Sequence, residues 1–150
     1  MLFNIGGFFG AYAFSYVTGY IGRRWAFALS FLLAGVTTSL GFMYVNSAFD
    51  VFWMTPLMGF CIFLIFGGYA VYFPELYPTR LRSTGTSFCY NIGRIVAAIG
   101  PLGLGLLCSV VYKNAAEPMR YAGATMCLIF IVGLCTLPFA PETKGKPLPE

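Results

Sequence analysis

A single arginine interrupts the fourth apolar run of this sequence, and it is the side chain best placed to do chemistry inside a membrane. Arg94 is the only charged residue from Ser83 to Tyr112. Counted at about 1.5 Å per residue from Ser83 or Gly85, it lies about 14–17 Å into a helix, near the middle of a bilayer. A guanidinium that faces lipid at that depth costs at least about 2.5–3.5 kcal/mol. Arg94 is therefore expected to face a polar cavity, a substrate or an ion-pair partner.

Amide and phenol side chains accompany that arginine. Asn91 and Tyr90 precede Arg94 by three and four residues, so all three share one helix face. In the first apolar run, Tyr12 and Tyr16 recur one turn apart and could line a site for an apolar ring. We predict that these five residues bind substrate. Two alternatives stay open: helix carbonyls or an acid elsewhere could hold Arg94, and the tyrosines could be ordinary helix packing.

Five long apolar runs must position these residues. Charged residues make up 9 % and hydrophobic residues 59 % of the sequence, which suits lipid better than water. Each run reaches the roughly 20 residues with which a helix crosses a bilayer core of about 30 Å. Because the runs are continuously apolar, helices are favoured over barrel strands. The sequence predicts an all-α membrane protein with five transmembrane helices, at about residues 2–21, 25–46, 51–73, 84–112 and 121–140.

Charges in the short loops predict the orientation. Six Lys or Arg residues lie in the segments that follow the first, third and fifth runs. The segments on the other side hold two, and both of these follow the fourth run. The positive-inside rule places the six-charge side in the cytoplasm. Five crossings then put Met1 outside and the C-terminus in the cytoplasm. We expect a multi-pass integral protein of the cell's inner or plasma membrane.

Three motifs lie at the loops between these runs. Residues 73–85 read FPELYPTRLRSTG, residues 19–24 read GYIGRR, and residues 141–145 read PETKG. Together they resemble the major facilitator superfamily in its sugar-porter and organic-ion branches, where a PELYPT segment joins helices ten and eleven and PETKG follows the last helix. Gly19 and Tyr20 stand where the family carries Asp and Arg. The resemblance covers essentially the whole chain, as helices eight to twelve of a C-terminal bundle.

That resemblance implies a role for the chain. Residues 1–150 would form a partial C-terminal transmembrane domain, with the missing N-terminal half of a carrier, the lipid bilayer and a small-molecule substrate as its partners. Arg94 follows the Thr84–Gly85 pair by nine residues, a spacing at which anion carriers of the organic-ion branch hold the substrate's negative group. Charges at the cytoplasmic helix ends would pair and latch a gate: Glu75, Arg82, Arg23, Arg24 and Glu142. Solvated anchoring charges are the alternative.

The favoured function is transport of a small organic anion or related metabolite by alternating access, with proton coupling left open. A sugar porter, favoured by the PETKG ending, and a non-transport membrane assembly subunit are the alternatives. The sequence has no histidine and five acidic residues, a poor inventory for acid–base chemistry or metal binding. We therefore predict no enzyme, no cofactor and no metal site. The basic residues form no stripe on a polar domain, which argues against nucleic acid as a partner.

Overall fold

The computed structural model describes residues 1–145, and this part of the chain is helical without a strand. Its α-helices are α1 (Leu2–Ile21), α2 (Arg23–Tyr44), α3 (Ala48–Leu76), α4 (Arg82–Ala97), α5 (Ile99–Leu106), α6 (Pro118–Met126) and α7 (Ile129–Thr136). A π-helical turn, Leu107–Val111, extends α5, and a 3-10 turn, Leu137–Phe139, ends α7.

Four helical stretches of the described residues are long and apolar enough to cross a membrane. They cover residues 23–44, 48–76, 82–111 and 118–139. The prediction of an all-α membrane fold is confirmed. Helix α1 has 20 residues but is not among those four. Its crossing of the membrane stays a prediction.

The third helix is longer than the sequence indicated. It begins at Ala48 rather than near residue 51 because Ser47 and Asp50 form a capping box. The Asp50 backbone N–H donates to Ser47 Oγ over 3.2 Å, and the Ser47 N–H donates to the Asp50 carboxylate over 3.0 Å. The helix then continues through Pro56 and Pro74, since a neighbouring helix packs along it.

One glycine makes the turn between the first two helices. Gly22 is the residue between α1 and α2, and its φ of 89° lies in the left-handed region that favours glycine. A Cβ at Gly22 would also stand 3.2 Å from the Glu142 carboxylate. This turn lets α2 start immediately after α1 and run antiparallel to it.

Glycines bring α1 and α3 into backbone contact. A Cβ at Gly6 would overlap the Pro56 carbonyl, and a Cβ at Gly10 would overlap that of Phe60. Because contact positions on both helices increase together, α1 and α3 run parallel. Small residues four apart let helix backbones approach this closely in lipid, where packing rather than the hydrophobic effect drives association.

A buried core joins the first three helices. Phe14 of α1, Phe27 of α2, and Leu64 and Tyr72 of α3 are each at most 8 % exposed and pack as one cluster. The Phe14 and Phe27 rings lie 5.1 Å apart, centre to centre. Helices α1, α2 and α3 therefore form a packed three-helix unit.

The remaining two spans are broken. The stretch 82–111, the fourth of the predicted spans, is interrupted at Ala98, and the stretch 118–139, the fifth, is interrupted at Cys127 and Leu128. The break at Ala98 lies three residues before Pro101, which has no N–H to donate to the Ala97 carbonyl one turn back. Residues 82–106, described throughout, contain no buried side chain.

Candidate functional site

A cluster of charged and polar side chains lies where residues 142–143, which follow the last span, meet the start of α2 and the end of α3. We name it the tail cluster, and its members are Arg23, Arg24, Glu75, Glu142 and Thr143. Arg23 opens α2 and Glu75 stands near the end of α3. Arg23 Nη2 lies 2.5 Å from Glu75 Oε1, and Arg23 Nε lies 3.0 Å from Glu75 Oε2. This bidentate pair joins α2 to α3, and its two side chains are 17 % and 19 % exposed.

The Glu142 carboxylate caps the start of α2. Its two oxygens accept from the backbone N–H groups of Arg23, over 3.0 Å, and Arg24, over 3.1 Å. These are donors that a helix leaves unpaired in its first turn, and a negative charge there also suits the helix dipole. The tail after α7 is therefore bound to the beginning of α2.

The Arg24 side chain in turn binds the end of the last span. Its guanidinium donates to the carbonyl oxygens of Ala140, over 2.5 Å, and Pro138, over 2.6 Å. A cation at these final carbonyls complements the negative end of that helix. Helix α2 and the last span thus cap each other reciprocally.

Three further contacts fasten the tail, and sequence analysis did not find them. Thr143 Oγ1 donates to Glu75 over 2.6 Å, and the Tyr72 hydroxyl donates to the Pro141 carbonyl over 2.8 Å. Lys144 Nζ donates to the carbonyl of Tyr20, at the end of α1, over 2.6 Å. The PETKG motif could have pointed to Thr143. Lys146, one of the six basic residues in the orientation argument, lies outside the described residues.

Arg82 takes a different partner from the carboxylate that sequence analysis expected. Its Nε donates to the Pro74 carbonyl over 3.0 Å. In a continuous helix that carbonyl would accept from residue 78, but Pro78 has no N–H to give. Arg82 supplies the missing donor and holds the α3–α4 turn.

Electrostatics at the tail favour the ionised carboxylate. Burial opposes ionisation of Glu142, but the backbone N–H groups of Arg23, Arg24, Lys144 and Thr143 outweigh it and hold its pKa below the ordinary value of 4.5. Glu142 therefore carries its charge at neutral pH, as its capping role requires.

The predicted substrate residues of the fourth span form an exposed polar stripe. Arg94 and Asn91 are exposed, and Asn91 Nδ2 donates to the Ser87 carbonyl over 2.9 Å. Tyr90 is half-buried, and its ring stands edge-on to Phe73 of α3 at 5.4 Å. Arg94 lies within the apolar stretch 82–111 and is uncovered by residues 1–145, so its guanidinium is open to a ligand or to further protein.

The predicted tyrosines of the first helix are exposed too. Tyr12 is 73 % and Tyr16 63 % exposed, on the face of α1 opposite α3. The Tyr20 hydroxyl donates to that of Tyr16 over 3.1 Å. Within residues 1–145, no hydrogen bond or ring contact joins these tyrosines to Arg94. The structure places the two sets on separate faces, and both are uncovered.

Comparison with known proteins gives a consistent set of relatives. The chain is 31 % identical over 140 residues to a Haemophilus influenzae protein provisionally named a metabolite transport protein, covering 93 % of this chain and 33 % of that one. It is 31 % identical over 141 residues to solute carrier family 22 member 6-B of Xenopus laevis, covering 90 % and 23 %. It is 32 % identical over 89 residues to the cis,cis-muconate transport protein of Acinetobacter baylyi, covering 59 % and 21 %. No family model matches the chain.

The spans and these relatives together define a class. Four membrane-length apolar helices make the chain a multi-pass integral membrane protein, and its relatives are transport proteins. It spans a third or less of the length of the relatives it matches. The chain belongs to the major facilitator superfamily, as its motifs indicated.

Proposed function

We propose that this chain forms part of a carrier that moves a small organic anion across a membrane by alternating access. The observation that carries the proposal is Arg94, a cation exposed on the apolar helical stretch 82–111, and residue counting supports a position near mid-bilayer. A guanidinium suits a carboxylate because its planar donors match both oxygens. The names of two relatives, a muconate transport protein and a metabolite transport protein, support this choice of substrate class.

The site would be completed by protein that is not in residues 1–145. Arg94, Asn91 and Tyr90 form one wall, and Tyr12 and Tyr16 form a second. Major facilitator carriers bind substrate near the midplane between two halves. An N-terminal half covering these exposed faces would enclose the substrate. Because these faces are uncovered here, transport requires that further part.

The tail cluster would act as the gate on one side. Arg23 and Glu75 join the ends of α2 and α3, and Glu142 ties the tail to both. We infer that this cluster stays closed when the carrier opens to the other side. Arg82 would keep the shape of the adjoining turn through Pro74.

A sugar porter is the second candidate. The PETKG tail, which that branch shares, is engaged in the tail cluster. An exposed arginine at mid-membrane favours the anion, because a neutral sugar offers no charge to offset its desolvation.

The orientation is also a proposal. The six-to-two split of basic residues favours a cytoplasmic tail in the inner or plasma membrane. Single cysteines at Arg80 and Lys113 should be labelled from opposite sides, Arg80 from the cytoplasm. Labelling of both from one side would refute this orientation.

Substitution of Arg94 tests the function. In the complete carrier, Arg94→Lys should raise the apparent KM for acids about tenfold or more, because lysine lacks the planar fork. Arg94→Ala should abolish acid uptake and spare neutral solutes. The matched control is Arg80→Ala, on an exposed loop residue. Uptake is measured in proteoliposomes with equal amounts of each variant. A well-expressed Arg94→Ala with unchanged acid uptake would remove Arg94 from the site and anions from the proposal.

A further inference from the structure

An aromatic ladder on α3 holds one tyrosine in a fixed orientation. Phe66, Tyr69 and Phe73 recur at three- and four-residue spacing, so they share a helix face. The Tyr69 ring stacks on Phe73 at 5.1 Å with 8° between planes, and meets Phe66 nearly edge-on at 6.3 Å. Phe27 of α2 lies 5.5 Å away. Three rings therefore fix the phenol with little freedom to rotate.

The packing of α3 against α4 sets the level at which Tyr69 stands. Phe73 meets Tyr90 at 5.4 Å between ring centres, and the Tyr77 hydroxyl lies 3.1 Å from Cys89 Sγ. Positions therefore fall along α3 as they rise along α4. Tyr69 lies one turn before Phe73 on α3, and Arg94 lies one turn after Tyr90 on α4. Both are therefore one turn further from the loop that connects the two helices. From this register we expect Tyr69 and Arg94 to lie at a similar depth.

The hydroxyl of Tyr69 has no hydrogen-bond partner among residues 1–145, unlike the hydroxyls of Tyr72 and Tyr77. The Tyr72 hydroxyl donates to Pro141 and that of Tyr77 pairs with Cys89. None of the hydrogen bonds among residues 1–145 uses the Tyr69 hydroxyl. The Tyr69 side chain is half-buried, and the hydroxyl of Tyr72, the other tyrosine of α3, is hydrogen-bonded. An unpaired phenol in a membrane interior is costly unless a ligand or water accepts its proton.

We propose that Tyr69 is a second substrate-binding residue, whose hydroxyl donates to the same carboxylate that Arg94 holds. This inference rests on the proposed transport of anions and adds a named donor from another helix. The guanidinium would bind one or both oxygens from the α4 side, and the phenol would bind from the α3 side. A ring held by three aromatic neighbours gives a pre-positioned donor, which reduces the entropy lost on binding. The ligand chemistry is a carboxylate rather than a neutral amide, which would present one acceptor oxygen.

Removal of one hydroxyl tests this assignment. In the complete carrier, Tyr69→Phe keeps the ring and its stacking and loses only the donor. It should raise the apparent KM for a carboxylate such as benzoate about tenfold and leave the maximal rate within about twofold. Uptake of the neutral benzamide, where measurable, should not change. Tyr44→Phe, an exposed tyrosine at the end of α2, is the matched control and should behave as wild type.

A double-mutant cycle then tests whether Tyr69 and Arg94 bind the same substrate carboxylate. If Tyr69 and Arg94 share a carboxylate, Tyr69→Phe should raise KM much less when Arg94→Lys is already present. Independent, multiplying effects would overturn the shared site. An unchanged KM in Tyr69→Phe, an equal loss with benzamide, or failure of the variant to accumulate would also overturn it, the last two by showing a structural role. If wild type takes up no acid, or Arg94→Ala leaves acid uptake intact, the proposed function itself fails.

Discussion

The helices α1 to α3 and the helices α4 and α5 are both apolar, yet they are packed very differently. Helix α3 buries residues from Met54 to Tyr72, whereas residues 82–106 bury none. Both regions are rich in glycine. Gly10 touches the backbone of α3, but Gly93 and Gly100 have nothing within 4 Å of a Cβ position. Apolar composition brings a helix into lipid, and small residues facing a partner at matching positions pack it there.

Replacing one glycine by alanine in each region should give the largest difference in the free energy of unfolding. Gly10→Ala would push a Cβ into the Phe60 carbonyl and should lower the free energy of unfolding by about 3 kcal/mol or more. Gly93→Ala is the matched control and should be neutral or slightly stabilising, since alanine is the better helix former. Unfolding of the purified chain in detergent measures both. Equal destabilisation by the two variants would show that the α4 surface is already covered, and would end the comparison.

The next largest difference is expected between an ion pair inside the three-helix unit α1–α3 and one outside it. Glu75→Gln removes the charge from a pair whose side chains are under 20 % exposed and should cost about 1.5–3 kcal/mol. Glu117→Gln breaks the Glu117–Arg120 pair beside α6, where Glu117 is 54 % exposed, and should cost under about 1 kcal/mol. In the complete carrier, Glu75→Gln should also slow transport. Equal costs and an unchanged transport rate would reduce Glu75 to an anchoring charge.

The smallest expected effect concerns pH: the cap that Glu142 provides at the start of α2 should not change near neutral pH. The pKa of Glu142 lies below its ordinary value of 4.5 when the chain is folded. Its contribution is therefore present above about pH 4.5 and is lost as the pH falls through the depressed folded value. Amide exchange of Arg23 and Arg24, corrected for its intrinsic pH dependence, should show constant protection from pH 8 to 5 and loss of protection only in stronger acid. Glu142→Gln should weaken that protection at every pH. Protection lost between pH 7 and 6 would contradict this capping.

The features of this molecule that follow from hydropathy and from motifs could be predicted from the sequence. It predicted the all-α membrane fold, and it selected Arg23, Arg24, Glu75 and Glu142, which the structure brings together. It missed the partner of Arg82, because only the structure shows that α3 continues past Pro74 and that the Pro74 carbonyl, left without a donor by Pro78, lies within reach of Arg82.

The candidate substrate residues were predictable in a different sense. The cost of a charge in lipid singles out Arg94 from the sequence alone. Sequence could not single out Tyr69, since its importance depends on which positions of α3 and α4 meet. Nor could it place Tyr12 and Tyr16 relative to Arg94. Residues 1–145 leave these side chains on separate, uncovered faces, so nothing in this part of the chain fixes their relation.

The reciprocal capping of α2 and the last span also sets an order of events during synthesis. Glu142 caps the Arg23 amide from 119 residues further along the chain. At a ribosomal rate of roughly 5–20 residues per second, the cap does not exist until about 6–24 s after Arg23 has been made. During that interval the start of α2 can be satisfied only by water or lipid headgroups at the membrane surface. The start of α2 therefore gains its carboxylate cap only after the five later helices have been made.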